Sequence, residues 1–283
     1  MQRLKVKNDF IFQKIFGQSE NKEILISFLN AVLSLDGSKQ LNDLEILDNK
    51  LKKDSPYDKQ GILDIRAKTR KGEQINIEVQ LVNQYNMDKR TLFYWSKIFT
   101  EQLKEGQPFQ ELKKTIAINI LDFNYLEVDS YHTVFHLRED SHPDYQLTDV
   151  LEIRFLELPK FRKLKPDLGK PLDRWLVFIE DSPKEVLGVV MKEEPVIAKA
   201  EEILEQLGSL DEVRRYYEAR EMAIHDEVSR ITGAMAEGEL KGKLETARKM
   251  LFQNLDESLI ASCTELPLEE IQKLKLQITG ENH

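Results

Sequence analysis

Residues 62–80 read ILDIRAKTRKGEQINIEVQ, and this stretch decides the fold. Apolar and polar side chains alternate on both sides of a short KGE segment, a pattern that predicts two antiparallel strands joined by a tight turn. Side chains at positions i and i+2 of a strand point to the same side, so Glu78 and Gln80 share a side that excludes Val79. The turn places Asp64 across from residue 80 or its neighbours, on that same side.

Two carboxylates and an amide in a sheet interior need a physical reason. Burying two carboxylates a few ångströms apart costs several kcal/mol unless a cation neutralises them. Hard oxygen atoms on adjacent strands suit a divalent cation that keeps some of its water ligands. A structural alternative stays open, in which Asp64 pairs with Lys68 or Arg66 and Glu78 lies on a solvent-facing strand edge.

Further helices and strands surround this hairpin in the order αβββαβ. Segments with helical periodicity are residues 20–35 and 87–103. Segments with strand alternation are residues 44–49, 61–70, 74–82, 115–123, 131–137 and 151–158. Beyond Trp175 the sequence predicts charged helices with narrow apolar stripes, which indicate pairing between subunits in a homo-oligomer.

Composition narrows the class of protein. The chain has 283 residues, of which 41% are hydrophobic and 32% charged, and this balance is typical of a soluble globular protein. One cysteine excludes an internal disulfide framework, and the absence of a CxxC pair argues against a zinc module. The N-terminus lacks the apolar core of a signal peptide, and no apolar run reaches the length of a membrane span. We therefore expect a cytoplasmic protein with no membrane partner.

Charge is spread unevenly along the chain. Residues 1–125 hold 20 basic and 17 acidic side chains, a net of +3, within a chain whose net charge is -9. Residues 50–71 contain eight basic side chains and three acidic ones. Such a run forms either a solvated hairpin rim or a surface that meets nucleic-acid phosphates.

The αβββαβ order, an acid on the second strand and ExQ on the third resemble the PD-(D/E)XK nuclease superfamily. More narrowly, GILDIRAKTRKGEQINIEVQ, with KNDFIFQKIFG before it and KRTLFYWSKIF after it, resembles the Rpn-type recombination-promoting nucleases, also called PD-(D/E)XK nuclease family transposases. The resemblance implies an α/β restriction-endonuclease-like core, with a mixed sheet flanked by helices, over residues 1–160. A helical accessory region follows over residues 161–283.

The resemblance also implies a function, that of a metal-dependent DNA endonuclease associated with recombination or mobile elements. Asp64 and Glu78 correspond to the ligands of Mg²⁺ or Mn²⁺, and Gln80 falls where the wider superfamily usually has lysine. A glutamine orients water or a phosphate oxygen by hydrogen bonds but supplies no positive charge. The candidate nucleic-acid contacts are Lys59, Lys68 and Arg90.

Three questions stay open at this point. Asp9, in KNDFIFQKIFG, either reaches the metal site or caps a helix. The chain could instead be a catalytically silent DNA-binding or assembly protein that retains the fold. It could also be a nuclease that cleaves RNA as a toxin or defence effector.

Overall fold

The computed structural model describes residues 3–50 and 63–280. The chain divides into two compact units, Met1–Ile224 and His225–His283. Within the described residues, the first unit contains all of the strands and the second unit is helical. In the same part of the chain, no helix combines the length and the apolar character needed to cross a membrane.

A six-stranded mixed sheet forms the centre of the first unit. Its strands are β1 (Leu44–Leu47), β2 (Ile65–Thr69), β3 (Gln74–Gln80), β4 (Thr115–Leu121), β5 (His132–Phe135) and β6 (Leu151–Glu157). They lie in the order β1-β2-β3-β4-β6-β5, with β3, β4 and β6 parallel and the other pairs antiparallel. Each strand falls inside a segment that the sequence predicts to be a strand.

Helices precede, interrupt and follow these strands. They are α1 (Asp9–Phe16), α2 (Lys22–Val32), α3 (Met87–Thr100), α4 (Leu158–Arg162), α5 (Pro171–Ile179), α6 (Lys184–Glu193), α7 (Pro195–Ser209), α8 (Asp211–Phe252), α9 (Glu257–Thr264) and α10 (Leu268–Gly280). The predicted αβββαβ order corresponds to α2, β1, β2, β3, α3 and β4. The predicted α/β class, mixed sheet and helical C-terminal region are confirmed.

The turn between β2 and β3 sets the register of the hairpin. Gly72 has a φ of 87°, in the left-handed region that favours glycine. Its N–H donates to the Thr69 carbonyl oxygen at 2.9 Å, and the Thr69 N–H donates to the Glu73 carbonyl oxygen at 2.9 Å. With the turn closed in this way, Ile65 pairs with Ile77.

One face of the sheet carries the main hydrophobic core, to which α1, α2, α5, α6 and α7 contribute. Ile77 projects from β3 into this core, and the ring of Trp175 lies 5.5 Å from that of Phe16 and 5.8 Å from that of Phe28. Trp175 is 1% exposed. The predicted division after residue 160 therefore falls inside the first unit, because α5 supplies side chains to the same core as α1 and α2.

Helix α3 covers part of the opposite face, and the layer beneath it is unusually polar. Asn76, Glu78 and Asn119 are buried there. The Thr91 hydroxyl donates to Oδ1 of Asn119 at 2.9 Å. A buried polar layer of this kind stabilises a fold weakly, so its composition points to a functional role for this face.

The second unit is held by a small core of its own. Ala247 of α8, Ile260 of α9 and Ile271 of α10 are buried together. Helix α9 begins at an N-cap, where Asp256 accepts hydrogen bonds from the backbone N–H groups of Ser258 and Leu259 at 2.9 and 3.2 Å. Helices α9 and α10 belong to the helical C-terminal region that the sequence predicts.

Candidate active site

Asp64 and Glu78 lie opposite each other at the open end of the β2–β3 hairpin. Ile65 pairs with Ile77, and the next position outward places Asp64 across from Glu78. The partner of Asp64 is therefore Glu78 itself, two residues nearer the turn than the sequence predicts. Directly opposed residues share a side of the sheet, so both carboxyl groups point the same way.

A side-chain to main-chain hydrogen bond links the two strands at this site. Oδ2 of Asp64 accepts a hydrogen bond from the backbone N–H of Val79 at 2.6 Å. A main-chain donor has little freedom to move, so this bond holds the Asp64 carboxyl group beside Glu78.

Both carboxyl groups have restricted access to water. Glu78 is only 2% exposed, and Asp64 is half-buried at the edge of a cleft. Burial and then the negative charge of Asp64 raise the pKa of Glu78 to about 8. Burial also raises the pKa of Asp64 to about 6, although the hydrogen bond from Val79 opposes that rise. A second negative charge is thus unfavourable here unless a cation or a proton balances it.

Arg90 of α3 provides part of that balance. Its Nη2 donates to Oε2 of Glu78 at 3.4 Å, and its guanidinium lies 5.4 Å from the centre of the Tyr94 ring. The charge of Arg90 lowers the pKa of both Glu78 and Asp64. The other carboxylate oxygen of Glu78, Oε1, is buried and has no hydrogen-bond partner. That oxygen is the kind of atom that a bound cation would satisfy.

The structure also brings Asp9 and Arg220 towards the carboxyl pair. Asp9 is the first residue of α1, and its Oδ1 accepts hydrogen bonds from the Phe10 N–H at 2.8 Å and from Nε of Arg220 at 2.8 Å. The charge of Asp9 raises the pKa of Asp64, and the charge of Arg220 lowers it. Sequence reasoning misses Arg220, since it lies on a helix assigned to the accessory region and carries no local motif.

The other predicted site residues lie in different places. Gln80 is the last residue of β3, is half-buried and lies on the same side of the strand as Glu78. Its carbonyl oxygen accepts a hydrogen bond from the Asp122 N–H at 2.9 Å. Lys68 is exposed and pairs with Gln74 near the turn, about 13 Å along the strand from Asp64. The structure does not bring Lys68 to the carboxyl pair. Lys59 lies outside the described residues.

The structural alternative for the two carboxyl groups does not match these contacts. Arg66 forms an ion pair with Glu101, at 2.9 Å between Nη1 and Oε2, instead of binding Asp64. Lys68 is four residues away along the strand, and Glu78 is buried instead of lying on a solvent-facing edge. The pair is therefore an acidic site within a sheet interior.

The chemistry of the donor set fits a hard divalent cation. Mg²⁺ and Mn²⁺ prefer oxygen ligands, and Mg²⁺ commonly binds through one or two carboxylates while keeping several waters. A cleft of about 180 Å³ adjoins Asp64 and is lined by Gln13, Asp48 and Asn49 among others. Among residues 3–50 and 63–280, no group of three or more His, Cys, Asp or Glu side chains is arranged to hold a metal ion. The two carboxyl groups therefore fit a cation that keeps water molecules among its ligands.

A family model described as PD-(D/E)XK nuclease family transposase matches residues 6–234. No curated protein matches the chain, and no solved structure does. The family match covers well over half of the sequence, including the whole sheet and the carboxyl pair. The chain belongs to the PD-(D/E)XK nuclease family transposases.

Proposed function

We propose that this PD-(D/E)XK nuclease family transposase is a DNA endonuclease that hydrolyses phosphodiester bonds with the help of Mg²⁺ or Mn²⁺. The pair formed by half-buried Asp64 and buried Glu78 is the observation that carries the proposal. The two acids are 14 residues apart in sequence, and the hydrogen bond from the Val79 N–H to Asp64 holds them side by side across the hairpin. Oε1 of Glu78 has no hydrogen-bond partner, so the two carboxyl groups form a site for a cation. Family membership supports a nuclease associated with transposition.

In this proposal Asp64 and Glu78 hold the cation. When bound, such an ion lowers the pKa of a water molecule and relieves the negative charge that develops on the phosphate oxygens. The Arg90 guanidinium favours the carboxylate form of Glu78, which is the form that binds a cation. Gln80, two residues further along β3, orients the attacking water or a phosphate oxygen with its amide.

The substrate is DNA, and the N-terminal part of the chain faces it. The net positive charge of residues 1–125 supports this assignment, since the remainder of the chain is acidic. Lys59 and Lys68 contact phosphates away from the scissile bond. A cytoplasmic location and a homo-oligomer formed through the C-terminal helices belong to the same proposal.

A digestion assay tests the function directly. Plasmid DNA and RNA are incubated with the protein in Mg²⁺ and in EDTA, beside the variants Asp64→Ala and Glu45→Ala. Glu45 is an exposed acid on β1 of the same sheet, so its variant controls for the loss of one negative charge. We expect DNA cleavage in Mg²⁺ by the parent and by Glu45→Ala, and none in EDTA or with Asp64→Ala.

The other outcomes identify the alternatives. Cleavage of RNA without cleavage of DNA would replace the proposal with an RNA-directed effector. Failure to cleave either polymer in Mg²⁺ or Mn²⁺ would favour a catalytically silent binding protein. Cleavage that survives Asp64→Ala would remove Asp64 from the site.

A further inference from the structure

We propose that Arg220, on the first part of α8, is a phosphate-binding residue of this site and that Asp9 holds it in position. The inference rests on the proposed function and adds to it a residue from the C-terminal half of the chain. It assigns to the site a guanidinium that neither the hairpin motif nor the family match identifies. Its ligand is a phosphodiester group of the nucleic-acid substrate.

Arg220 and Asp9 form a bidentate ion pair. Nε of Arg220 donates to Oδ1 of Asp9 at 2.8 Å, and its Nη2 donates to Oδ2 of the same carboxylate. A guanidinium carries five N–H donors in a rigid plane, so this contact uses one edge and leaves donors on the other. An arginine oriented by a carboxylate in this way is prepared to bind a second anion without further loss of side-chain entropy.

Arg220 is better placed to meet a substrate than Arg90 is. The Arg220 side chain is 50% exposed, whereas that of Arg90 is 27% exposed and lies between Glu78 and the Tyr94 ring. Arg90 is therefore committed to the carboxyl pair. Gln13 lies one turn after Asp9 on the same face of α1 and lines the cleft beside Asp64. The Asp9–Arg220 pair therefore lies on the side of α1 that faces this cleft.

The helix that carries Arg220 has other attachments to the N-terminal segment, so the residue can be tested on its own. Glu221 accepts hydrogen bonds from Nζ of Lys5 at 2.6 Å and from Nδ2 of Asn8 at 2.9 Å. The ring of Tyr216 packs 5.8 Å from that of Phe10. Removing the Arg220 guanidinium leaves these contacts in place.

The experiment measures the affinity for a short fluorescein-labelled DNA duplex by fluorescence anisotropy over a range of salt concentrations, in EDTA to prevent cleavage. Arg220→Ala is compared with Arg215→Ala, which removes the same charge from an exposed position about 140° around the same helix. We expect Arg220→Ala to weaken binding about tenfold at low salt. It should also reduce the slope of log affinity against log salt by about 0.9, the value for one phosphate contact, while Arg215→Ala leaves both quantities at the parent values.

Two further variants separate phosphate binding from a structural role. Asp9→Asn breaks the ion pair but keeps the guanidinium, so the salt slope should stay at the parent value. Arg220→Lys keeps a charge and should restore the slope but not the full affinity, because an ammonium cannot form the planar fork. If Arg220 only fastened α8 to α1, Asp9→Asn and Arg220→Ala would have the same effect on binding, and the inference would be overturned.

Failure of this inference can be told apart from failure of the proposed function. A parent protein that binds and cleaves DNA, with an Arg220→Ala variant that keeps the parent salt slope, overturns the assignment of Arg220 alone. A parent protein that binds no duplex overturns both. Thermal unfolding of every variant checks that the first unit is folded at the temperature of the binding assay.

Discussion

Glu78 is a carboxyl group with almost no access to water, and the chemistry of the site follows from that. Its neighbour Asp64 adds a negative charge, and the two effects together raise the pKa of Glu78 to about 8. A buried carboxyl pair of this kind takes up either a proton or a cation, and the two compete for the same oxygen atoms. Stability, metal binding and pH are therefore linked at this residue.

The first prediction concerns stability without metal. Below pH 4.5 Glu78 binds a proton in both the folded and the unfolded chain, and between pH 4.5 and about 8 it does so mainly in the folded chain. The free energy of unfolding in EDTA should therefore fall as the pH rises through this window. Mg²⁺ should reduce the fall, because the cation replaces the proton. Chemical denaturation at pH 5 and pH 8, in EDTA and in Mg²⁺, measures the effect.

Glu78→Gln is the control for this dependence. The amide has nearly the same shape and no charge. The decrease in the free energy of unfolding between pH 6 and pH 8 should therefore disappear, and Mg²⁺ should no longer stabilise the protein in that range. Asp64, whose pKa is about 6, accounts for the fall at lower pH. A Glu78→Gln protein with the parent pH dependence would show that Glu78 is not the titrating group.

The second prediction concerns Gln80. Gln80→Ala removes the amide that we propose orients water or phosphate, while the carboxyl pair and the surrounding charges stay unchanged. We expect the cleavage rate to fall about a hundredfold with DNA affinity within a factor of about two of the parent, as is typical when a positioned polar group is lost. Gln110→Ala, at an exposed position, serves as the control. Equal loss of binding and cleavage in Gln80→Ala would assign Gln80 to substrate binding instead.

The sequence predicts some of these residues and misses others for a physical reason. Asp64, Glu78 and Gln80 are visible because strand periodicity fixes the side to which each points. Arg220 is 211 residues from Asp9, and no local pattern reports which exposed arginine of a charged helix will meet which acid. The contact depends on packing between distant segments, which a single sequence does not encode in any short motif.

At the scale of elements, the β2–β3 hairpin is the part that makes the site. Its turn decides which residue of β2 faces Glu78, and an offset of one residue would send Asp64 to the other face of the sheet. The sequence predicts the strands and the turn, but not the final register. That register depends on the turn's hydrogen bonds and on the positive φ of Gly72, which composition alone does not reveal.

The third prediction tests this turn. Gly72→Ala places a side chain at a φ of 87° and brings its Cβ within 3.2 Å of Cγ of Lys113. We expect the free energy of unfolding to fall by about 1–2 kcal/mol and cleavage to weaken as the hairpin shifts. Gly188→Ala is the contrast, since Gly188 is helical and no atom lies within 4 Å of the added Cβ. That variant should gain up to about 1 kcal/mol. Urea denaturation of both variants makes the comparison, and an unaffected Gly72→Ala would show that the turn does not set the register.

At the scale of the whole molecule, the nuclease core extends further along the chain than its motifs do. The motifs that carry the family resemblance here end before residue 125, the charged helical pattern begins beyond Trp175, and the resemblance implies a core over residues 1–160. The core nevertheless requires Trp175, Leu176 and Phe178, each at most 1% exposed. The motifs do not reveal that α5 belongs to the core, because the same apolar side chains could equally have packed in a separate helical domain.

The fourth prediction follows from this extent. A fragment of residues 1–160 lacks α5 and α7 and exposes the aromatic core, so it should show no cooperative thermal unfolding. A fragment of residues 1–224, which ends at the limit of the first unit, should unfold cooperatively. Circular dichroism followed with temperature compares the two. Cooperative unfolding of the shorter fragment would instead support a core that ends at residue 160.

The central claim is that two carboxyl groups on adjacent strands share one divalent cation. Anomalous diffraction from a crystal of the protein soaked in Mn²⁺ measures this most directly. We predict a peak within coordination distance of carboxylate oxygens from both Asp64 and Glu78. A peak elsewhere in the molecule, or no peak at the pair under conditions that support cleavage, would contradict it.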